Sequence, residues 1–183
     1  MNPQTLFTII HLFGVAIGAG GAFVSDIMFF SSVRDRVISK AEMRFLKLTS
    51  KMVWTGLAIL FFSGAGLFLL DMNRYLNSDK FLAKMSIVCI IVLNGAIFHA
   101  SHIPRLSRHQ EQHYPSSDEF MRKRSFMLVS GAVSVCSWSS ALILGALRGP
   151  PYSYAQIMSV YGLLLLGAAA GALLLRNHVL PKN

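Results

Sequence analysis

Tyr154 to Leu175 reads YAQIMSVYGLLLLGAAAGALLL, 22 residues without a single Asp, Glu, Lys, Arg or His. A hydrocarbon layer about 30 Å thick takes roughly 20 residues of helix to cross, because an unpaired backbone amide in lipid costs several kcal/mol. The stretch has that length. It is built of Leu, Ala, Gly and Val without the polar alternation of a membrane β-strand. It therefore predicts a membrane-spanning helix.

Working outward, four more apolar runs have similar length, at about Thr5 to Phe30, Lys51 to Leu70, Phe81 to Ile103 and Ser125 to Leu147. The whole chain agrees. It is 54% hydrophobic and 14% charged, with a mean hydropathy of +0.53, too apolar for a soluble domain of 183 residues. The expected fold is all-α, an integral membrane bundle of five transmembrane helices forming a single domain over 1–183. No internal repeat or linker divides it.

A net charge of +9 would point to nucleic acid in a soluble protein. In a membrane protein it is read loop by loop. Arg34, Arg36, Lys40, Arg44, Lys47 and Lys51 follow the first run. Arg105, Arg108, Arg122, Lys123 and Arg124 follow the third, and Arg176 and Lys182 end the chain. These are 13 of the 17 Lys and Arg. The positive-inside rule then places the N-terminus outside and the C-terminus in the cytoplasm, with lipid and not nucleic acid as the partner. The expected location is a bacterial cytoplasmic (inner) membrane. The first run has no basic n-region and is too long for the apolar part of a signal peptide.

Chemistry is expected where polar side chains lie inside the spans, since each costs a few kcal/mol at depth. These are His11, Asp26, Lys84, Asn94, His99, His102 and the group Ser137, Trp138, Ser139 and Ser140. At a rise of 1.5 Å per residue, His11 sits about 9 Å below the outer boundary and Lys84 within about 5 Å of it. Asp26, His99 and His102 sit about 27 to 31 Å in. Two clusters result, His11 with Lys84 outside and Asp26 with His99 and His102 inside. His11 and His99 differ by about 18 Å in depth, so they cannot clamp one haem iron.

His11, Gly14, Gly18, Gly21 and Ser25 share one helix face. Such a stripe serves either close helix packing or a groove for a cofactor. His99 and His102, three apart and ahead of a helix-ending Pro104, would face alike and with Asp26 make an N,N,O metal site. Alternatively they cap the helix, and Asp26 pairs with Arg34. His109 and His113 are a further four-residue pair suited to a metal. Met158 near the outer boundary, and Met52 and Met127 near the inner one, leave His/Met ligation open. Gly167 to Gly171 forms a GxxxG face suited to a homodimer through the fifth helix.

The run Ile10-His11-Leu12-Phe13-Gly14-Val15, the Gly20-Gly21 step and Phe81-Leu82-Ala83-Lys84-Met85 resemble the HemJ-type membrane protoporphyrinogen oxidases and the related CopD-type copper-resistance membrane domains. The resemblance covers about residues 5 to 103. It implies haem b as a cofactor, with His11 as haem ligand or substrate contact, Lys84 as anion contact and His99 as a match to a late histidine. The chain differs in having Gly18-Ala19 where those families place aromatic residues, and in its fifth helix. The expected function is a haem-b redox protein moving electrons between a bilayer quinol or porphyrin-like donor and an acceptor at the membrane face. The alternatives are copper handling and a non-catalytic assembly partner. Phosphate-loop, GxSxG and HExxH enzymes are excluded because those motifs are missing.

Overall fold

The computed structural model describes residues 2–34, 39–108, 118–147, 149 and 151–174. Every regular element among them is helical. The order is α1 (Pro3–Arg34), α2 (Lys40–Leu70), α3 (Met72–Leu76), α4 (Asp79–Ile97), a π-helical turn (Phe98–His102), α5 (Ile103–Arg108), α6 (Asp118–Ala146) and α7 (Tyr154–Leu174). Five helical stretches are long and apolar enough to cross a membrane, as in an integral membrane protein: 3–31, 40–70, 79–108, 125–146 and 154–174.

Two helices differ informatively from the sequence expectation. α2 starts eleven residues before Lys51, so most of the first basic segment is helix. Its cap explains why: Ser39 Oγ accepts the Glu42 amide at 3.2 Å, and Glu42 Oε2 accepts the Ser39 amide at 2.8 Å, so each satisfies an orphan donor of the first turn. The helix then places Met43 and Leu46 inward and leaves Lys40, Arg44, Lys47 and Lys51 exposed.

The third span does not stop at Pro104. It passes through the π turn, in which the Ile103 amide donates to the Phe98 carbonyl, and continues to Arg108. A proline ring collides with the carbonyl four residues back in a regular helix, and a widened turn just before it relieves that collision. α7 begins with a second reciprocal cap, Ser153 with Gln156, at 3.3 and 2.9 Å.

α1 and α2 form the most intimate pair. A Cβ at Gly56 would strike the backbone of Gly18, and one at Gly21 would lie 3.0 Å from Met52 Cβ. α6 lies against α1, α4 and α7. One apolar core joins Phe29, Met43, Leu46, Ile103, Leu106, Met127 and Leu128 at the end that carries Lys47, Arg105 and Arg108. A second joins Ala19, Leu57, Ala83, Ile87, Ile91, Trp138 and Tyr161. α7 is the least covered span, and Gly167 and Gly171 face open space.

Candidate functional site

Two histidines of the spans meet serines of α2, in two separate places. At the first, His11 Nδ1 lies 3.0 Å from Ser63 Oγ, a hydroxyl that donates to the Ile59 carbonyl at 2.6 Å. A serine has one proton to give. With that proton on Ile59, the His11 ring must donate through Nδ1–H, and the hydrogen-bond pattern thus assigns the tautomer whose Nε2 carries a lone pair. The ring edge rests over Gly64, its Cε1 3.6 Å from where a Cβ would stand. Lys84 Nζ lies beside Gly145 of α6.

At the second place, the π turn separates the two histidines expected to face alike. His99 Nδ1 is 3.0 Å from Ser50 Oγ on α2. His102 is 1% exposed and lies edge-on between Phe98 and Phe126, with ring centroids at 5.7 and 5.3 Å. Neither of its nitrogens has a hydrogen-bond partner among the described residues. A π turn has more residues per turn than an α-helix, so residues three apart diverge on it. Neither histidine caps a helix end, because the helix runs on.

Asp26 is buried, close to Ser134 of α6. Its Oδ2 has no partner among the described residues. Asp26 lines a cavity of about 40 Å³ with Ser25, Ser50, Asn94, Ser130, Ser134 and Trp138, among others. His99 and His102 are not among its lining residues. Among the described residues no three His, Cys, Asp or Glu side chains come close enough to hold a metal ion, so the N,N,O site of Asp26, His99 and His102 is not assembled. The side chain of Arg34, its expected ion-pair partner, and the pair His109 and His113 lie outside the described residues.

The glycine stripe is occupied by protein. A Cβ at Gly14 would lie 3.0 Å from Ile59 Cγ2, and one at Gly18 would lie 2.9 Å from the Trp138 ring. Helix packing accounts for Gly14, Gly18 and Gly21, and no slot for a macrocycle remains between α1 and α2. Of the α6 group, Ser137 Oγ donates to the Val133 carbonyl at 2.6 Å and meets Tyr161 Oη at 2.7 Å. Both are buried structural contacts.

Sequence reasoning missed Ser50, Ser63, Ser130 and Ser134. A serine inside a span is a quiet signal, since it can return its proton to its own helix and cost little. The signal that existed was relational: the hydroxyls of Ser50, Ser63 and Ser130 each face a ring nitrogen or amide of another helix.

No family model, curated protein or solved structure matches this chain.

Proposed function

We propose that this chain is an integral membrane redox protein, with the N-terminus outside, that binds haem b and passes electrons across the bilayer from a quinol or porphyrin-like donor. The observation that carries the reading is the pairing of two histidines with one helix. His11 and His99 each engage a serine of α2 through Nδ1, which leaves Nε2 as the ring atom for an iron. A ligating histidine whose other nitrogen is fixed in this way is the usual arrangement at metal centres. Ser50 and Ser63 are thirteen positions apart on α2, about 20 Å of rise. That distance requires two centres, one in each half of the membrane, rather than one bis-histidine haem.

The residues present fit such a group in part. His11 supplies an oriented ligand, and Lys84 supplies a cation for a propionate or a quinone oxygen. The face formed by Gly14, Gly18 and Gly21 is filled by α2, so the macrocycle would lie on the side of His11 away from that stripe. Bound haem supplies one-electron chemistry, and the residues hold, orient and charge-balance it. For the copper-handling alternative, no cluster of three His, Cys, Asp or Glu side chains is found among the described residues. A homodimer through Gly167 and Gly171 belongs to the same proposal, on the open face of α7.

The test is the visible spectrum of the purified protein, made with ample haem and recorded before and after dithionite. A sharp Soret band with reduced α and β bands is expected. His11→Ala should remove one spectral component and His99→Ala the other. A featureless spectrum overturns the reading.

A further inference from the structure

Independent of the haem reading, and resting only on the membrane-spanning one, we propose that the basic end of α2 is a binding site for an anionic glycerophospholipid, whose phosphate is held by Arg44, Lys47 and Lys51. Lys40, Arg44, Lys47 and Lys51 fall at i, i+4, i+7 and i+11, so they share one face of the helix. All four are exposed. Farther along the same face come Phe62 at i+22 and Leu69 at i+29, 72% and 69% exposed. The basic face therefore stands over the side of α2 that meets acyl chains, away from the interior where Met43, Leu46 and Ser50 are buried. Like charges at helical spacing repel one another. Glu42, the single acid between Lys40 and Lys51, turns its carboxylate to Ser39. An anion on this face relieves the repulsion.

Depth places the phosphate. The 19 residues from Met52 to Leu70 carry no Asp, Glu, Lys or Arg, and they rise about 28 Å, the thickness of a hydrocarbon layer. Lys51 and Lys47 then lie in the head-group layer, about 6 Å apart along the axis, with Arg44 about 4.5 Å farther out. α5 ends at the same level. Leu46 and Leu106, both fully buried, pack in one core, and Lys47 Nζ donates to Ser107 Oγ at 3.4 Å. The next residue, Arg108, is exposed and adds a cation there. Beside the basic face, Phe45 and Leu48 are each 53% exposed. Lys and Arg flanked by exposed Phe and Leu make the composition of a helix seated in the membrane interface. Apolar flanks at that depth suit the glycerol and upper acyl region of a lipid, and not an acidic soluble protein.

Trp54, 37% exposed and one turn deeper than Lys51, reports on the lipid beneath the basic face, whereas Trp138 is 5% exposed. The experiment reconstitutes the full-length protein in vesicles of phosphatidylcholine with brominated acyl chains, then replaces that lipid stepwise by unbrominated phosphatidylglycerol. Recovery of tryptophan emission gives the affinity for the anionic lipid relative to the zwitterionic one. A preference of about tenfold is expected, the same in protein made with and without added haem. It should fall about fivefold in Lys51→Gln, equivalent to the about 1 kcal/mol of one basic residue at the surface, and vanish when Lys47→Gln is added. Lys123→Gln, at an exposed cation of α6, should leave it unchanged. In wild-type protein the preference should shrink between about 0.1 and about 1 M NaCl, as the screening length drops from about 10 to about 3 Å. Equal affinity for the two lipids, indifference to salt, a preference kept in the folded double variant, or the same loss in Lys123→Gln would each overturn the proposal. So would displacement of the lipid by added polyglutamate, which would give the surface to an acidic protein. Unquenched emission in pure brominated lipid would sink the membrane-spanning reading itself, and the proposal with it.

Discussion

Gly18 of α1 and Gly56 of α2 meet backbone to backbone, so closely that a single methyl group at Gly56 has nowhere to go. Between helices surrounded by lipid there is no hydrophobic gain from pairing, and close approach with its dispersion contacts is what holds them. Gly56→Ala should therefore force α1 and α2 apart and cost about 1–3 kcal/mol, as overpacking does. Gly20→Ala, whose methyl would meet nothing within 4 Å, should be neutral or slightly stabilising, by up to about 1 kcal/mol. Thermal unfolding in detergent compares the two. Equal losses would show that helix propensity, and not contact, governs this face.

His11 depends on Ser63 for its orientation. Ser63→Ala removes the acceptor for Nδ1–H while leaving the ring in place. If His11 holds iron, haem affinity should fall about 10- to 100-fold with the fold intact, the usual cost of losing an outer-shell partner. Ser50→Ala should act in the same way on a centre at His99. Haem titration of the apo-protein followed at the Soret band measures both. Unaltered affinity in both variants would detach the serines from any ligand role.

The Ser137 hydroxyl is committed to the Val133 carbonyl, so at 2.7 Å it is Tyr161 that donates and Ser137 that accepts. Tyr161→Phe should then cost only about 0.5–1.5 kcal/mol, because Ser137 keeps its own partner. Ser137→Ala leaves the phenol, 3% exposed, without an acceptor and should cost more, about 1–3 kcal/mol. Unfolding of the two variants and the double mutant gives the coupling between α6 and α7 directly.

The five spans were legible because length and apolarity are one-dimensional properties of the chain. Position along a span is legible for a related reason, since rise per residue converts sequence position into distance along a helix. Rotation about the helix axis was not. His99 and His102 look like neighbours on a regular helix, and only the π turn ahead of Pro104 sends one to Ser50 and the other between Phe98 and Phe126. Gly14, Gly18 and Gly21 were visible as a stripe, yet nothing local to α1 distinguishes a groove filled by Gly56 from one kept open. The cavity at Asp26 draws on α1, α2, α4, the π turn and α6, and no segment of sequence contains it.

α2 starts ahead of its apolar run, and the signal for that start is in the sequence, as Ser39 followed three residues later by Glu42. By charge alone, six basic residues between two apolar runs resemble a loop. The reciprocal cap outweighs that composition, since exposed Lys and Arg are themselves good helix formers. The same cap leads the chain into Met43 and Leu46, which the helix carries into a buried core with Leu106 and Met127. Ser39→Ala should accordingly cost about 1 kcal/mol and fray the turns ahead of Lys51 rather than the apolar part of α2. Amide hydrogen exchange should rise over 40–46 and stay unchanged over 56–66. Uniform protection across both segments would mean that packing of Met43 and Leu46, without the cap, suffices to hold the helix end.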